Sequence, residues 1–372
     1  MIYVNARFLT QDLTGVQRFA QEICLALSKI RHDIVFVSPP NIIHHDIASQ
    51  LNVQVVGKKS GHFWEQVELP AFLKKNKSPL LINLCNTAPI FYRNKIITHH
   101  DVIYKRYPQS YSAKFRFVYN NFVPLMLRHS KALITVSEFS KKEISQAFDY
   151  PLNNIYVIYN AVSEQFKPIA SASNTERPYL LAVSSPNYHK NFHGLIAAFS
   201  QMANGQDVTL KIIGAANKNF ADVGFSTEGT ARNDNIQFLG RVSDQQLVEL
   251  YSHARAFVFP SLYEGFGIPP LEAQACGCAV VASNRASMPE VLSKSALYFD
   301  PENILEMKQA LERIMQDEAL RQILIAEGFT NVKRFDWMCS AAALSEGNDS
   351  NLLIVFYVQI MPDDLVMQLH RF

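Results

Sequence analysis

Residues 257–283 read FVFPSLYEGFGIPPLEAQACGCAVVAS, and this stretch decides the fold. An apolar run ends at Phe259, a loop carries Glu264, and two prolines at 269–270 fall where the first turn of a helix accepts proline. A second apolar run follows at 279–282. The order strand, loop, helix, strand predicts a βα unit of a parallel sheet.

The same alternation extends along the whole chain and predicts an α/β protein. Near-continuous apolar strands of this kind are buried on both faces of a parallel sheet. The predicted strands are 34–37, 53–56, 80–84, 96–99, 133–136 and 155–158, followed by 179–183, 208–213, 236–239, 256–259, 279–282 and 296–299. The predicted helices between them include 16–30, 191–202, 245–255 and 304–315.

A chain of 372 residues is too long for one compact core, and we predict two doubly wound domains. We place the first domain at 1–165, a linker rich in proline and small residues at 166–177, and the second domain at 178–340. Residues 341–372 form an atypical tail. Ligands of such domains bind at the carboxyl ends of the strands, so we expect the site in the cleft between the domains.

The composition excludes several classes of protein. An apolar content of 48% is ordinary for a globular protein, and a net charge of +2 gives no reason to expect a nucleic-acid partner. Five cysteines, an odd number, predict free thiols in a reducing compartment. Arg7 and Asp12 interrupt any signal-peptide pattern, and no apolar run is long enough to span a bilayer. We therefore expect a cytoplasmic protein, or one that lies on a membrane from that side.

Charge is distributed unevenly between the two halves. Residues 1–165 contain 19 Lys and Arg against 11 Asp and Glu, whereas the remainder contains 16 against 22. A basic first half suits anionic lipid head groups or an anionic acceptor, although solvated loop lysines explain it equally well. Segment 104–131 interleaves cations with aromatic residues, which suits peripheral membrane contact. Its spacing at 115, 118, 122 and 125 is also typical of a core-facing stripe.

The loop after Phe259 has the features of an anion-binding turn. Gly265 and Gly267 allow the backbone to approach a ligand closely. Free amides at the start of the following helix favour a group such as a diphosphate, and Glu272 faces the same opening. Two glutamates at this separation mean little alone, but within this strand, loop and helix they become a specific signal.

With these flanks, Glu264 and Glu272 form a Glu-x7-Glu motif, and the chain resembles the retaining glycosyltransferases of family 4, which have the GT-B fold. The resemblance extends from residue 1 to about 340. It implies two Rossmann-like doubly wound domains facing across an interdomain cleft, and transfer of a sugar from a nucleotide diphosphate donor with retention. Further segments match in order: 14–16, 100–101, 137–140, 159–162, 189–191, 238–243 and 289–291.

The resemblance also implies roles for individual residues. Lys190 would neutralise the leaving diphosphate together with backbone amides near Gly267 and Ile268, although an exposed loop lysine is the alternative. Glu264 would bind hydroxyl groups of the donor sugar and lie close to the developing positive charge. Glu272 would accept hydrogen bonds from the ribose hydroxyl groups.

Five other positions are expected to bind the donor. Backbone around Arg241 and Val242 would contact the base, and Gly15 would let the N-terminal loop approach the diphosphate. Gly265 and Phe266 belong to the donor loop itself.

His100 is the main candidate in the first domain. Its place after a predicted strand suits a hydrogen bond to the transferred sugar, with Asp101 orienting the ring, while a satisfied core histidine is the alternative. The histidines show no metal-ligand spacing, and the sequence contains no Asp-x-Asp motif. We expect no metal and no cofactor apart from the nucleotide sugar, which is a substrate.

The segments TGVQRF (14–19) and FWEQ (63–66) are similar to members often described as mannosyltransferases, which makes GDP-mannose the leading donor. The resemblance suggests a saccharide or lipid-diphosphate-linked acceptor in O-antigen or capsule synthesis at the bacterial inner membrane. A UDP-sugar or dTDP-sugar donor, a GT-B sugar-nucleotide epimerase and a sugar-binding protein without catalysis remain alternatives.

The sequence departs from the family at two places. Members often carry a basic residue shortly before the position of Lys190, where this chain has SSPN (184–187), so either Arg241 supplies the second charge or one cation is enough. The tail is also unusual, because GNDS (347–350) interrupts a helix that starts near 340, and an apolar run follows at 352–361. An altered terminus and a divergent but folded ending both fit this pattern.

Overall fold

The computed structural model describes residues 1–169, 177–183, 187–202, 207–214 and 235–345. It contains two α/β domains, each built around one parallel sheet, which confirms the predicted fold class. The SSPN departure (except Asn187), most of the predicted linker and the tail after residue 345 lie outside the described residues.

The first domain contains a parallel sheet of seven strands, with the order β3-β2-β1-β4-β5-β6-β7. Its strands are β1 (Ile2–Asn5), β2 (Ile34–Ser38), β3 (Gln54–Val55), β4 (Leu80–Asn83), β5 (Lys95–Thr98), β6 (Ala132–Thr135) and β7 (Ile155–Val157). The central strands β1, β4, β5 and β6 are buried along their whole length except at Leu80, as expected for a sheet covered on both faces.

In the described residues of the second domain, six parallel strands follow the order β10-β9-β8-β11-β12-β13. They are β8 (Tyr179–Val183), β9 (Thr209–Ile213), β10 (Ile236–Gly240), β11 (Ala256–Phe259), β12 (Val280–Ser283) and β13 (Ala296–Phe299). Strand β11, from the stretch that decided the fold, lies between β8 and β12 and is buried at every residue. The loop that follows it therefore projects from the middle of the sheet.

Helices cover both sheets and connect the strands. In the first domain they are α1 (Gly15–Ile30), α2 (His45–Gln50), α3 (Gly61–Phe63), α4 (Leu69–Lys75), α5 (Ile103–Arg106), α6 (Ala113–Arg128) and α7 (Glu138–Phe148). In the second part of the chain they are α8 (Phe192–Ser200), α9 (Asp244–His253), α10 (Ile268–Ala275), α11 (Met288–Leu292), α12 (Ile304–Gln316), α13 (Glu318–Val332) and α14 (Trp337–Ser345).

Strand β1 is absent from the sequence-based prediction, although it lies at the centre of the first sheet. It has only four residues, and its two neighbours come from distant parts of the chain: Ile2 pairs with Ile34 and with Leu80. So short an apolar segment at the chain start has no alternation long enough to be recognised.

Helix α14 returns to the first domain. The Trp337 ring lies 6.1 Å from the Phe19 ring of α1, and Ser340 Oγ donates to the carbonyl of Tyr159 at 2.9 Å. At its end, Arg31 Nη1 donates to the carbonyl of Ser345 at 3.0 Å. The described start of the tail is therefore folded against the first domain.

Candidate active site

The turn between β11 and α10 requires glycine at one position. Gly267 precedes the helix with a φ of +96°, a conformation that other residues adopt only with strain. A Cβ atom at this position would also overlap the Sδ–Cε end of Met288. The following Ile268 begins α10, and the two prolines occupy its first turn. The helix therefore starts at the carboxyl end of β11, and Ile268 has the one backbone N–H of its first three residues, because proline has none.

Lys190 and Glu264 form an ion pair in this loop region. Lys190 Nζ lies 2.6 Å from Glu264 Oε1, and the two side chains are 20% and 12% exposed. Lys190 is thus partly buried and paired, unlike an exposed loop lysine. Such a pair places a cation beside a carboxylate where a ligand can still reach both.

The position of Lys190 is fixed by its neighbours in a short 3-10 turn. The His189 carbonyl accepts a hydrogen bond from the Leu262 amide at 2.7 Å, which ties this turn to the loop after β11. Asn191 adopts a left-handed conformation with a φ of +55° and donates from Nδ2 to the Pro301 carbonyl at 2.7 Å. Contacts on both sides thus hold Lys190 towards Glu264.

Glu272 lies on α10, buried beneath the loop. Tyr251 Oη donates to its Oε2 at 3.4 Å. Burial raises the pKa of Glu272 to about 7. The positive charge of Arg18 lowers this pKa, and the negative charge of Asp244 raises it. Its carboxyl group is therefore close to its protonation midpoint at neutral pH.

His100 follows β5 and lies in the first domain. Its Nε2 is 3.2 Å from the Leu84 carbonyl, and its ring packs edge-on against Phe19 at 5.0 Å. Burial lowers its pKa to about 4, so the ring is neutral at physiological pH. The prediction that Asp101 orients this ring is wrong, because Asp101 Oδ1 accepts from the Ile103 amide and the Leu84 carbonyl holds the ring instead.

Asp101 belongs to the same site because its carboxyl group interacts electrostatically with Glu264 and Lys190. Burial raises the pKa of Asp101 to about 6, and the negative charge of Glu264 also raises it. The hydrogen bond from the Ile103 amide and the positive charge of Lys190 lower the same pKa. Residues of both domains therefore influence one another electrostatically at this point.

Gly265 is where the two domains touch. Its carbonyl accepts hydrogen bonds from Ser137 Oγ at 2.6 Å and Ser140 Oγ at 3.0 Å, both on the first domain. A Cβ atom at Gly265 would lie 2.9 Å from Asp101 Cβ and 3.2 Å from the His100 carbonyl oxygen. Only a residue without a side chain lets the Glu264 loop lie this close to His100.

The remaining predicted donor-binding residues differ in their settings. A Cβ at Gly15 would lie 4.0 Å from Ile268 Cδ1, so the start of α1 meets the start of α10. The side chain of Phe266 is buried in the hydrophobic core. Arg241 is exposed and Val242 half-buried after β10. No hydrogen bond or ion pair among the described residues joins Arg241 to the Lys190–Glu264 pair.

Two contacts between the domains were not found by sequence reasoning. Arg18 Nη2 forms an ion pair with Asp244 Oδ2 at 2.9 Å. The Glu290 carboxylate accepts from the amides of Glu138 and Phe139 at 2.8 and 2.9 Å, and so caps α7 of the other domain. The segments with Glu290 and Glu138 were matched as motifs, but partners more than 150 residues apart leave no local signal.

Neither a metal-binding cluster nor a membrane-spanning helix is present among the described residues. In that part of the chain, no group of three or more His, Cys, Asp or Glu side chains is arranged to bind a metal ion. The expectation that no metal is required stays a prediction. No helix within the same residues is long and apolar enough to cross a membrane.

Two doubly wound domains that meet around a Lys–Glu pair and the start of a helix define the GT-B class. Residues 13–166 match the model of Glycosyltransferase Family 4, and residues 163–330 match that of Glycosyl transferases group 1.

Two curated relatives and one solved structure illustrate the similarity. The O-antigen chain mannosyltransferase B of Escherichia coli is 28% identical, over 87% of this chain and 93% of the relative. The O-antigen chain mannosyltransferase RfbU of Salmonella typhimurium is 30% identical, over 82% and 85%. The Anabaena protein Alr3699/HepE, solved in complex with UDP-glucose, superposes with a TM-score of 0.69 at 16% identity, over 93% and 98%.

The chain belongs to the family 4 glycosyltransferases, whose second domain is of the group 1 type. The prediction that it is a glycosyltransferase is thereby confirmed.

Proposed function

We propose that this glycosyltransferase transfers a hexose, with retention, from a nucleotide diphosphate donor to a saccharide or lipid-diphosphate-linked acceptor in cell-surface polysaccharide synthesis. The observation that carries the proposal is the Lys190–Glu264 pair, which lies at the start of α10 and beside Asp101 and His100 of the opposite domain. The names of the two mannosyltransferase relatives support mannose as the transferred sugar, and GDP-mannose is the donor we propose. The UDP-glucose complex of the Anabaena protein supports a nucleotide sugar more generally and keeps UDP-sugars in the comparison.

The site must first stabilise the leaving group. When the glycosidic bond breaks, negative charge develops on the diphosphate. Lys190 supplies a positive charge there, and the start of α10 supplies the Ile268 amide and the positive end of the helix dipole. In this mechanism both groups are positioned before reaction, so little reorganisation is needed as the charge develops.

The site must also stabilise the positive charge that develops on the sugar ring. As the bond to the leaving group lengthens, the anomeric carbon becomes positively charged, and the Glu264 carboxylate lies beside it. The neutral His100 ring offers hydrogen bonding without adding a competing positive charge. Glu272 accepts hydrogen bonds from the ribose hydroxyl groups in its ionised form.

A donor screen tests this proposal directly. Thermal unfolding is measured with GDP-mannose, UDP-glucose, UDP-N-acetylglucosamine and dTDP-rhamnose. A ligand at 100 times its dissociation constant stabilises the native state by about 2.7 kcal/mol. We expect a rise in melting temperature with GDP-mannose that exceeds the rise with the others. No rise with any of the four nucleotide sugars would contradict the proposed donor site.

The variant Glu272→Gln serves as the matched control for that screen. Because an ionised carboxylate accepts hydrogen bonds from hydroxyl groups more strongly than a carboxylic acid does, donor affinity of the parent should fall as the pH is lowered from 8 to 6, through the Glu272 pKa of about 7. The Gln variant should bind the donor about tenfold more weakly at pH 8 and lose most of this dependence. Calorimetric titration at both pH values measures it, and equal affinities of parent and variant at pH 8 would move the ribose site elsewhere.

We also propose that helix α6 contacts the inner face of the bacterial inner membrane. Three of the four residues in the stripe at 115, 118, 122 and 125 do not face the core: Val118, Phe122 and Leu125 are exposed, while Phe115 is half-buried. Phe117, outside the stripe on the same helix, is 70% exposed. The core side of the helix consists of Val123, Met126 and Leu127 instead. Exposed Lys114 and Arg128 on the same helix add attraction to anionic lipids.

Vesicle binding tests this membrane contact. The double variant Phe117→Ser/Phe122→Ser should lose most of its cosedimentation with phosphatidylglycerol vesicles, because two exposed aromatic side chains no longer enter the interface. The exposed Ile323 of the second domain provides a control, Ile323→Ser, which should bind as the parent does. Unchanged binding of the double variant would exclude α6 as the contact.

A further inference from the structure

The FWEQ segment is not explained by the donor site, and two of its residues have a clear structural task. Trp64 is fully buried and donates from Nε1 to a backbone carbonyl of the preceding loop at 2.6 Å. Gln66 bonds the loop after β4 in both directions, donating to the Ala88 carbonyl and accepting from the Ile90 amide, both at 2.9 Å. They anchor a π-helical turn, Trp64–Glu68, of a kind often found at functional sites.

Glu65, in the same turn, uses one of its two carboxylate oxygens to bond neighbouring segments. Its side chain is 1% exposed, and its Oε1 accepts from Asn5 Nδ2 at 3.0 Å and from Arg7 Nε and Thr87 Oγ1, both at 3.2 Å. All three bonds use one oxygen. Among the described residues, the other buried oxygen, Oε2, has only His62 Nδ1 nearby, at 3.4 Å, on a side chain that is 71% exposed. Oε2 therefore keeps unused capacity to accept a hydrogen bond.

The charges of this cluster balance each other. Burial alone would raise the pKa of Glu65, but the His62 hydrogen bond, the charge of Arg7 and the Thr87 hydroxyl lower it overall, so the carboxyl group is ionised at neutral pH. Arg7 Nη2 also donates to Thr87 Oγ1 at 2.8 Å. The free energy needed to remove two charges from water is about as large as the free energy of their attraction in the protein. The Arg7–Glu65 pair is therefore not explained by stability alone.

A small cavity lies against this ion pair. Its volume is about 10 Å³, the space of one water molecule, and Arg7, Glu65, Thr87 and Leu84 are among its eight lining residues. All eight belong to the first domain. The Leu84 carbonyl is the group that holds the His100 ring, so the cavity lies next to the expected position of the transferred sugar.

The chemistry of the cavity selects its ligand. A neutralised guanidinium–carboxylate pair gives no net attraction for an anion, and the volume excludes a whole sugar ring. A single hydroxyl group fits both limits, because it accepts a hydrogen bond from the guanidinium and donates one to the carboxylate at the same time.

We propose that Arg7 and Glu65 form an acceptor-saccharide subsite, in which one hydroxyl group of the acceptor sugar enters this cavity and donates to Glu65 Oε2. This subsite rests on the proposed function, since it assigns the acceptor of the same transfer. It is assigned to the acceptor rather than to the donor because only the first domain lines it, whereas the Lys190–Glu264 pair of the second domain faces the donor.

The test separates acceptor binding from donor chemistry in the full-length chain. Binding of methyl glycosides of mannose, glucose, galactose and N-acetylglucosamine is measured by saturation-transfer NMR, and hydrolysis of the donor without acceptor is measured in parallel. In Glu65→Gln we expect the best-bound glycoside to lose at least tenfold in affinity, with donor hydrolysis within twofold of the parent. The control Glu68→Gln alters a neighbouring carboxylate that bonds the amides of Lys58 and Lys59, and it should bind glycosides normally.

Each outcome has a defined meaning. Unchanged glycoside affinity in Glu65→Gln, or a loss of donor hydrolysis instead of glycoside binding, would overturn the subsite. A parent that hydrolyses donor but binds none of the glycosides would overturn it as well. A parent that hydrolyses no nucleotide sugar would instead refute the proposed function. If Glu65→Gln fails to fold, Thr87→Val removes the bridging hydroxyl and is expected to weaken the same glycoside at least threefold.

Discussion

Replacement of Lys190 by alanine is expected to lower the rate of sugar transfer about 10²–10³-fold, the loss typical of removing one group that stabilises charge in a transition state. The Lys190 ammonium is held 2.6 Å from Glu264 by the turn around it and is only 20% exposed, so no solvent cation replaces it in the same geometry. Turnover at saturating donor concentration measures the effect. The melting temperature of the variant is measured in parallel, so that a loss of folded protein is distinguished from a loss of rate.

Two further variants show whether the lost rate belongs to the leaving group. Lys190→Arg keeps the charge and should retain more activity than the alanine variant. Lys190→Met keeps the length of the side chain but removes its charge, and it should be about as slow as the alanine variant if Lys190 acts on the diphosphate. A rate of Lys190→Ala within threefold of the parent would contradict the assigned role.

The substitution Gly265→Ala is expected to reduce kcat/KM roughly 10–100-fold while leaving both domains folded, since a displacement of about 1 Å at a reacting centre costs about 10²-fold. The new Cβ would lie 2.9 Å from Asp101 Cβ and 3.2 Å from the His100 carbonyl oxygen, both on the opposite domain. Gly265 is not among the residues with positive φ, so alanine causes no backbone strain within its own loop. We therefore expect the loss of activity to come from a wider separation of the two domains.

Activity and small-angle scattering together measure this effect. The variant should show a larger radius of gyration than the parent and a similar melting temperature. Full activity with parent-like scattering would mean that reaction does not require the domain approach seen at Gly265. The matched substitution Gly328→Ala lies on α13, where the three atoms nearest to a new Cβ belong to the Gln274 side chain of the same domain. It should leave the scattering unchanged.

The sequence-based prediction succeeded where the signal is local. Strands β8, β11 and β13 have the predicted bounds, and most other strands differ by one or two residues, because apolar β-branched runs flanked by turns are short-range features. The turn at Gly267 was also recognisable, since glycine and proline punctuate the backbone within a few residues. The exposed stripe of α6 was not, because the same spacing is typical of a core-facing helix and only the position of the neighbouring elements distinguishes the two.

By itself the sequence determined the α/β class, the two domains and the Glu264–Glu272 loop with its helix. These depend on periodicity, turn chemistry and spacing within about 20 residues. Only the tertiary structure decided which side chains meet: Lys190 with Glu264 across 74 residues, Ser137 with Gly265 across 128, and Arg7 with Glu65 across 58. The physical reason is that strand order and the approach of the two domains set these contacts, and neither leaves a pattern in any one segment.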